Sequence, residues 1–300
     1  MKIKNARKNK IKGSLSDRIT NVIIYTIAGI AGLLTLLPFL YVIAGSFATE
    51  KELTEKAFFI IPSVVSVNAY KYIFETGEIF NGLKNSIFLT VVGTFVNMLF
   101  TTTFAYPLSK KHFRGRTLFL NMVIVTMLFS GGMIPTFIWI KELGLYNSYW
   151  ALILMGAISP FNMIIVKNFF QELPAELEES ARIDGCSDLK IFTSIVLPLS
   201  KPVIASISLF YAVGHWNDYF GAMIYLQDSS KETVQIVLRR IVLLAAGIQA
   251  EGMDFDVMGV PPDKAVKMAA TMVATLPILL VYPFVQKYFT KGVMVGAVKG

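Results

Sequence analysis

Six charge-free stretches punctuate this chain, and each approaches the length a helix needs to cross a bilayer. They cover residues 19–49, 85–109, 117–140, 143–166, 202–217 with a continuation past Asp218, and 268–286. Lipid offers no partner to an unpaired backbone group, so an apolar run of roughly 20 residues predicts a spanning helix. The pattern predicts an all-α membrane protein with six transmembrane helices in one domain over 19–300, preceded by a basic segment over 1–18. Two connections are long. Residues 51–84 open with KELTEK and pass into FFIIPSVVSVNAYKYIF, which reads as short amphipathic structure at the membrane surface. Residues 226–267 carry QIVLRRIVLLAAG, too short between Arg240 and Glu251 to cross, and then the polar QAEGMDFDVMGVPPDK. A surface or re-entrant helix over 235–249 suits that segment better than a seventh span, which would carry the C-terminus to the other side.

Composition agrees: 54% of residues are apolar, 16% are charged, and Phe alone occurs 23 times. A soluble protein would need an equal supply of amphipathic helices to cover such segments, and the sequence does not provide them. With six spans and a cytoplasmic N-terminus, 18 of the 28 basic residues fall on the inner side, and the acidic residues run the other way. Both termini are therefore expected in the cytoplasm. The net charge of +8 is a topology signal and gives no reason to expect a nucleic-acid partner. The N-terminus begins like a signal peptide, but its apolar run exceeds such a region and shows no small-residue cleavage site, which favours a retained first span. A single cysteine, Cys186, cannot form an internal disulfide, and no ligand spacing surrounds His112 or His215, so no metal site is expected.

The charged interruption over 172–202, ELPAELEESARIDGCSDLKIFTSIVLPLSKP, reads as helix, turn and helix. Pro174 suits the first helical position, and Glu176, Glu178 and Glu179 complement the exposed amides of a first turn. Gly185 supplies a left-handed stop, Ser187 caps a second helix, and Pro198 with Pro202 closes it. This loop resembles the EAA motif of the permease subunits of bacterial ABC importers, through Glu179, Ser180, Ala181, Gly185 and the later Leu197 and Pro198. SGGMIPTFIWIKELGLYNSYWAL from Ser130, FYAVGHWNDYF from Phe210 and FTKGVMVGAVKG from Phe289 are similar to the second permease of oligosaccharide systems. Ser180 stands where the first Ala of the motif is usual.

The resemblance implies a permease paired with a second, distinct permease, two ATPase subunits and an extracytoplasmic substrate-binding protein. It implies that Glu178, Glu179, Ser180, Ala181, Asp184 and Gly185 form the ATPase-coupling element, and that this chain is not itself an enzyme. No Gly-rich phosphate loop with its Lys and Ser or Thr is present, so Mg-ATP is expected on the ATPase subunits and no cofactor on this chain. Polar side chains inside spans are costly and tend to face a bundle or cavity. Tyr211, His215, Trp216, Asn217 and Asp218 are accordingly candidates for an oligosaccharide path, with Asn162, Thr271 and Thr275 as weaker ones. Two other readings of the same residues stay open: Trp216 and Tyr219 as interfacial anchors, and small polar residues as helix packing. Import of another small polar solute, or a non-transporting scaffold that only recruits a cytoplasmic partner, are the competing functions.

Overall fold

The computed structural model describes residues 15–247 and 263–297, with side chains over 19–247 and 263–283. Most of the basic N-terminal segment, the polar stretch after Gly247 and the last residues of the tail lie outside the described residues. Within them, every regular element is helical: α1 (Leu15–Ser46), α2 (Glu50–Glu55), α3 (Asn68–Thr76), α4 (Glu78–Ser109), α5 (Arg116–Leu128), α6 (Met133–Glu142), α7 (Tyr149–Met155) and α8 (Pro160–Glu172). Then come α9 (Ala175–Ile183), α10 (Asp188–Ile191), a π-helical turn (Phe192–Val196), α11 (Leu197–Leu199), α12 (Lys201–Asn217), α13 (Phe220–Tyr225), α14 (Val234–Ala245) and α15 (Lys264–Ala297).

The axis of the fold is α4, whose 32 residues span about 48 Å at 1.5 Å per residue. Its buried positions include Ser86, Leu89, Gly93, Asn97, Thr101, Ala105 and Leu108, spaced three or four apart and so lying on one face. α12, α8, α14, α7 and α5 pack around it. Gly93 permits the closest approach: a Cβ there would stand 2.5 Å from His215 Nε2, so a larger residue would drive α12 away. The end of α1 and the turn after it cluster with α15 through small residues, Ala44 and Ala48 with Ala265, Ala269 and Ala270. The rest of α1 leaves Val22, Ile27, Leu33 and Leu34 more than half exposed, an apolar surface that requires lipid or another subunit.

Among the described residues, three helices are long and apolar enough to cross a membrane, over Ile19–Ser46, Glu78–Ser109 and Lys264–Pro283. Counting each of three sharply bent helix pairs as one span raises the number to six. The run over 117–140 is thus two helices, α5 and α6, turned by 118°. Ser130-Gly131-Gly132 makes the turn, with Gly132 at φ +85°. The run over 143–166 divides into α7 and α8 at 52°, where Ser159 caps α8 and Pro160 occupies its first turn. The segment before α12 meets it at 83°.

α14 has 12 residues, about 18 Å of helix against a hydrocarbon core of roughly 30 Å, which agrees with a surface or re-entrant element. It is pinned to α4: Ser86 Oγ accepts from the Val234 amide at 2.9 Å, and Asn85 Nδ2 donates to the Ser230 and Glu232 carbonyls at 2.8 and 2.9 Å. In the first long connection, Glu52 accepts from the Ser63 amide at 2.9 Å and from Lys56 Nζ at 2.8 Å. Those bonds hold its carboxyl down at about 2, the Lys56 ammonium contributing most.

Candidate functional site

The charged loop after α8 is a helical knob closed by a left-handed residue. α9 begins one residue later than its sequence suggests, because Pro174 at ψ 125° is the flanking residue and Ala175 the first helical one. At the other end Gly185 sits at φ +79°, its amide donating to the Arg182 carbonyl at 3.0 Å and the Cys186 amide to the Ala181 carbonyl at 2.9 Å. This crossed pair of bonds is the Schellman closure, which satisfies carbonyls that a helix end leaves free. Arg182 bridges the turn to Asp188 at 3.0 Å, and Ser187 Oγ caps α10 by accepting from the Lys190 amide at 3.4 Å. Pro198 does not end the second helix. The π-helical turn over Phe192–Val196 precedes it, and the chain breaks instead at Ser200, ahead of Pro202 in the first turn of α12.

The knob has two faces with different chemistry. Glu178 and Ala181 point inward and are buried, whereas Glu179, Ser180 and Asp184 are exposed beside Leu177, Ile183 and Leu189. Ile183 is 87% exposed and Leu189 71%, so the outward face offers apolar area as well as a carboxylate. Glu178 forms a nearly dry ion pair with Lys110, the residue that ends α4, and Lys110 Nζ also lies 4.6 Å from the Tyr106 ring centroid. Tyr106 in turn packs at a tilt against Phe192, ring centroids 4.9 Å apart. The cation thus joins α4, α9 and the π-helical turn into one unit.

Farther along α4, two of the candidate path residues are bonded to groups on other elements. Tyr211 is 7% exposed; its hydroxyl accepts from the Ser159 amide at 2.9 Å and meets Thr101 Oγ1 at 2.7 Å. His215 Nε2 donates to Asn97 Oδ1 at 2.8 Å, while Asn97 Nδ2 donates to the Gly156 carbonyl. Each contact ties α12 through α4 to the break between α7 and α8. Trp216 is buried at 5% and Asn162 at 7%. Thr271 and Thr275 turn their hydroxyls back onto the carbonyls of Lys267 and Thr271, at 2.9 and 2.7 Å. Asp218 accepts from the Gly221 amide at 2.9 Å, and Asn217 is the one candidate that is exposed. The structure therefore gathers Tyr211 and His215 with Asn97, Thr101 and Ser159 in a packing network, and leaves Asn217 and Asp218 at an open end. Lys110, Asn97 and Thr101 escaped the sequence reading. Asn97 and Thr101, four apart in an apolar run, were the available signal, since polar groups at one helical register in a span mark a buried contact. Among the described residues no three His, Cys, Asp or Glu side chains converge as a metal cage.

Residues 98–295 match the family described as binding-protein-dependent transport system inner membrane component. Protein LplC of Bacillus subtilis is 56% identical over 285 residues, covering 95% of this chain and 96% of that relative. The polygalacturonan/rhamnogalacturonan transport system permease protein YtcP of Bacillus subtilis is 51% identical, over 95% of this chain and 100% of its own length. A crystal structure of a bacterial ABC transporter involved in the import of the acidic polysaccharide alginate contains a chain that superposes with a TM-score of 0.83 at 32% identity, covering 92% of this chain and 99% of that one. The knob between two apolar helices, the broken spans and these likenesses converge: the chain belongs to the binding-protein-dependent transport family as a membrane permease component of ABC importers, distinct from the subunits that hydrolyse ATP.

Proposed function

We propose that this chain forms half of the translocation pathway of an ATP-driven oligosaccharide importer, with a second permease forming the other half. Two cytoplasmic ATPases bind Mg-ATP and grip the knob, and a separate extracytoplasmic protein delivers the sugar. Both termini lie in the cytoplasm. The observation that carries this reading is the two-faced knob: Glu178 is anchored inward on Lys110, while Glu179, Ser180, Asp184 and Ile183 are presented outward on a rigid turn. An ordinary connecting turn has no use for an exposed carboxylate flanked by exposed aliphatic residues on a helix closed at its end and anchored through Glu178; a docking element does. A closing ATPase would push on α9, and the Lys110–Glu178 pair would pass that motion to α4. The packing network on α4 would then carry α12 and α8 along with it.

Substrate class follows from the relatives, one named for polygalacturonan and rhamnogalacturonan and another solved as an importer of an acidic polysaccharide. Oligosaccharides carrying uronate residues are the favoured cargo. The decisive experiment is uptake of radiolabelled uronate and neutral oligosaccharides into proteoliposomes holding the full complex. Sugar accumulation that requires ATP and the binding protein, and that Glu179→Lys abolishes, is the expected result. Accumulation independent of ATP would overturn the reading.

A further inference from the structure

Two adjacent arginines on α14 have different fates. Arg240 is neutralised twice, by Glu232 and by Glu78 at 3.4 Å, and it lines a polar cavity with Asn81, Ser229 and Ser230, so its task is to fasten α14 to the start of α4. Arg239 is exposed and has no ion-pair partner among the described residues. Its guanidinium carbon lies 5.0 Å from the ring centroid of Tyr219. The core-facing positions of α14 are Val234, Val237 and Ile241, so Arg239 does not help to bury the helix.

Stacking on an aromatic ring engages the face of a guanidinium and leaves its N–H groups free at the edge, in the fork that matches a carboxylate. Tyr219 directly follows Asn217 and Asp218, where the exposed positions Phe210, Val213, Gly214 and Asn217 of α12 end. These positions recur every three or four residues and form one helix face leading away from the arginine. An amide on such a face, with the exposed guanidinium of α14 beyond its end, is expensive against lipid and suits a water-filled path. Asp218, the carboxylate next to Tyr219 in sequence, is turned to the Gly221 amide, and Glu232 is paired with Arg240.

We infer that Arg239, held over Tyr219, is a specificity-determining residue of this permease: it receives the carboxylate of a uronate sugar at the outer end of the pathway and passes it toward Asn217. The inference rests on the oligosaccharide reading above and adds the group that selects for charge. It also accounts for how an anionic sugar passes Asp218, since the positive charge comes from the same chain.

The test uses the complete complex in liposomes and two probes of equal length, a galacturonate trisaccharide and its methyl ester, which lacks the charge. Arg239→Gln should lower initial uptake of the acid relative to the ester on the order of tenfold, the effect of losing one charge-assisted contact. Complex assembly and basal ATP hydrolysis should be unchanged. Arg239→Lys keeps the charge without the fork and should fall between wild type and Arg239→Gln, which guards against a loss caused by misfolding alone. An acid-to-ester ratio equal to that of wild type in both variants overturns the inference while leaving sugar import standing. No uptake of either probe by the wild-type complex overturns the uronate cargo proposed above and this inference together.

Discussion

The cytoplasmic knob and the outer end of α12 are both polar interruptions of an apolar chain, yet they are built in opposite ways. Every bond that shapes the turn of the knob joins residues within six positions of each other, from Ala181–Cys186 to Arg182–Asp188. The polar groups of α12 find their partners far away, His215 on Asn97 at a separation of 118 residues and Tyr211 on Thr101 at 110. A local motif can be carried outward as a rigid tool for a partner. Long-range bonds between helices occupy the groups that make them, which is why Tyr211 and His215 are tied into packing while Asn217 and Arg239 stay exposed beside Asp218 and Tyr219.

The contact joining the two regions through α4 should show the largest effect. Glu178→Ala strands Lys110, whose side chain is only 16% exposed, and should cost about 3 kcal/mol in denaturation of the purified complex. Replacing both partners with Met should recover most of that loss. Full stability of Glu178→Ala would mean that the knob and α4 are not joined as described. Tyr211→Phe comes next: losing a hydroxyl that serves the Ser159 amide and Thr101 should cost about 1–3 kcal/mol, with relative uptake of different sugars unchanged. A change of sugar preference at full stability would return Tyr211 to the path.

The local region should respond differently. Gly185→Val forces a β-branched residue to φ +79°, a strain of roughly 1–3 kcal/mol. That cost is confined to the knob, so ATPase co-purification should fall while the melting of the membrane helices hardly moves. Glu179→Lys should shift stability by less than about 0.5 kcal/mol, because the side chain is exposed, and still abolish ATPase attachment. Normal attachment would remove Glu179 from the contact. The smallest effect concerns the outer connection. Glu52 has its carboxyl depressed to about 2 from 4.5, so its contribution is complete above about pH 4.5 and disappears as pH falls toward 2. Protease sensitivity of the 56–66 segment should rise over that window in wild type, and Glu52→Gln should abolish the pH dependence.

How much of this was legible beforehand varies with the range of the interaction. The stop at Gly185 and the cap at Ser187 were readable because each depends on one residue type and its immediate neighbours. The first turn of α9 was misplaced by one residue, since proline is at home both at the helix start and just before it. The run over 117–140 was read as one helix because hydropathy does not register a bend; Gly131-Gly132 held the information, and the 118° turn used it. Tyr211 and His215 were singled out as candidates for the sugar path but could not be assigned a partner, since nothing near them in sequence supplies one.

By itself, then, the sequence determined the membrane as solvent, the all-helical class, the family and the local closure of the knob. Hydrophobic length decides the first two and single-residue backbone preferences with short-range hydrogen bonds the last, while the family rests on the resemblance of the motif. Only the tertiary structure decided which carboxylate of Glu178 and Glu179 is spent inside and which is offered outside, which polar groups of α12 are consumed by α4, and which of Arg239 and Arg240 is left bare. Each of those outcomes depends on whether a counter-charge or hydrogen-bond partner from a distant segment arrives within about 3 Å, and side chains of the same type give the sequence no means of telling them apart.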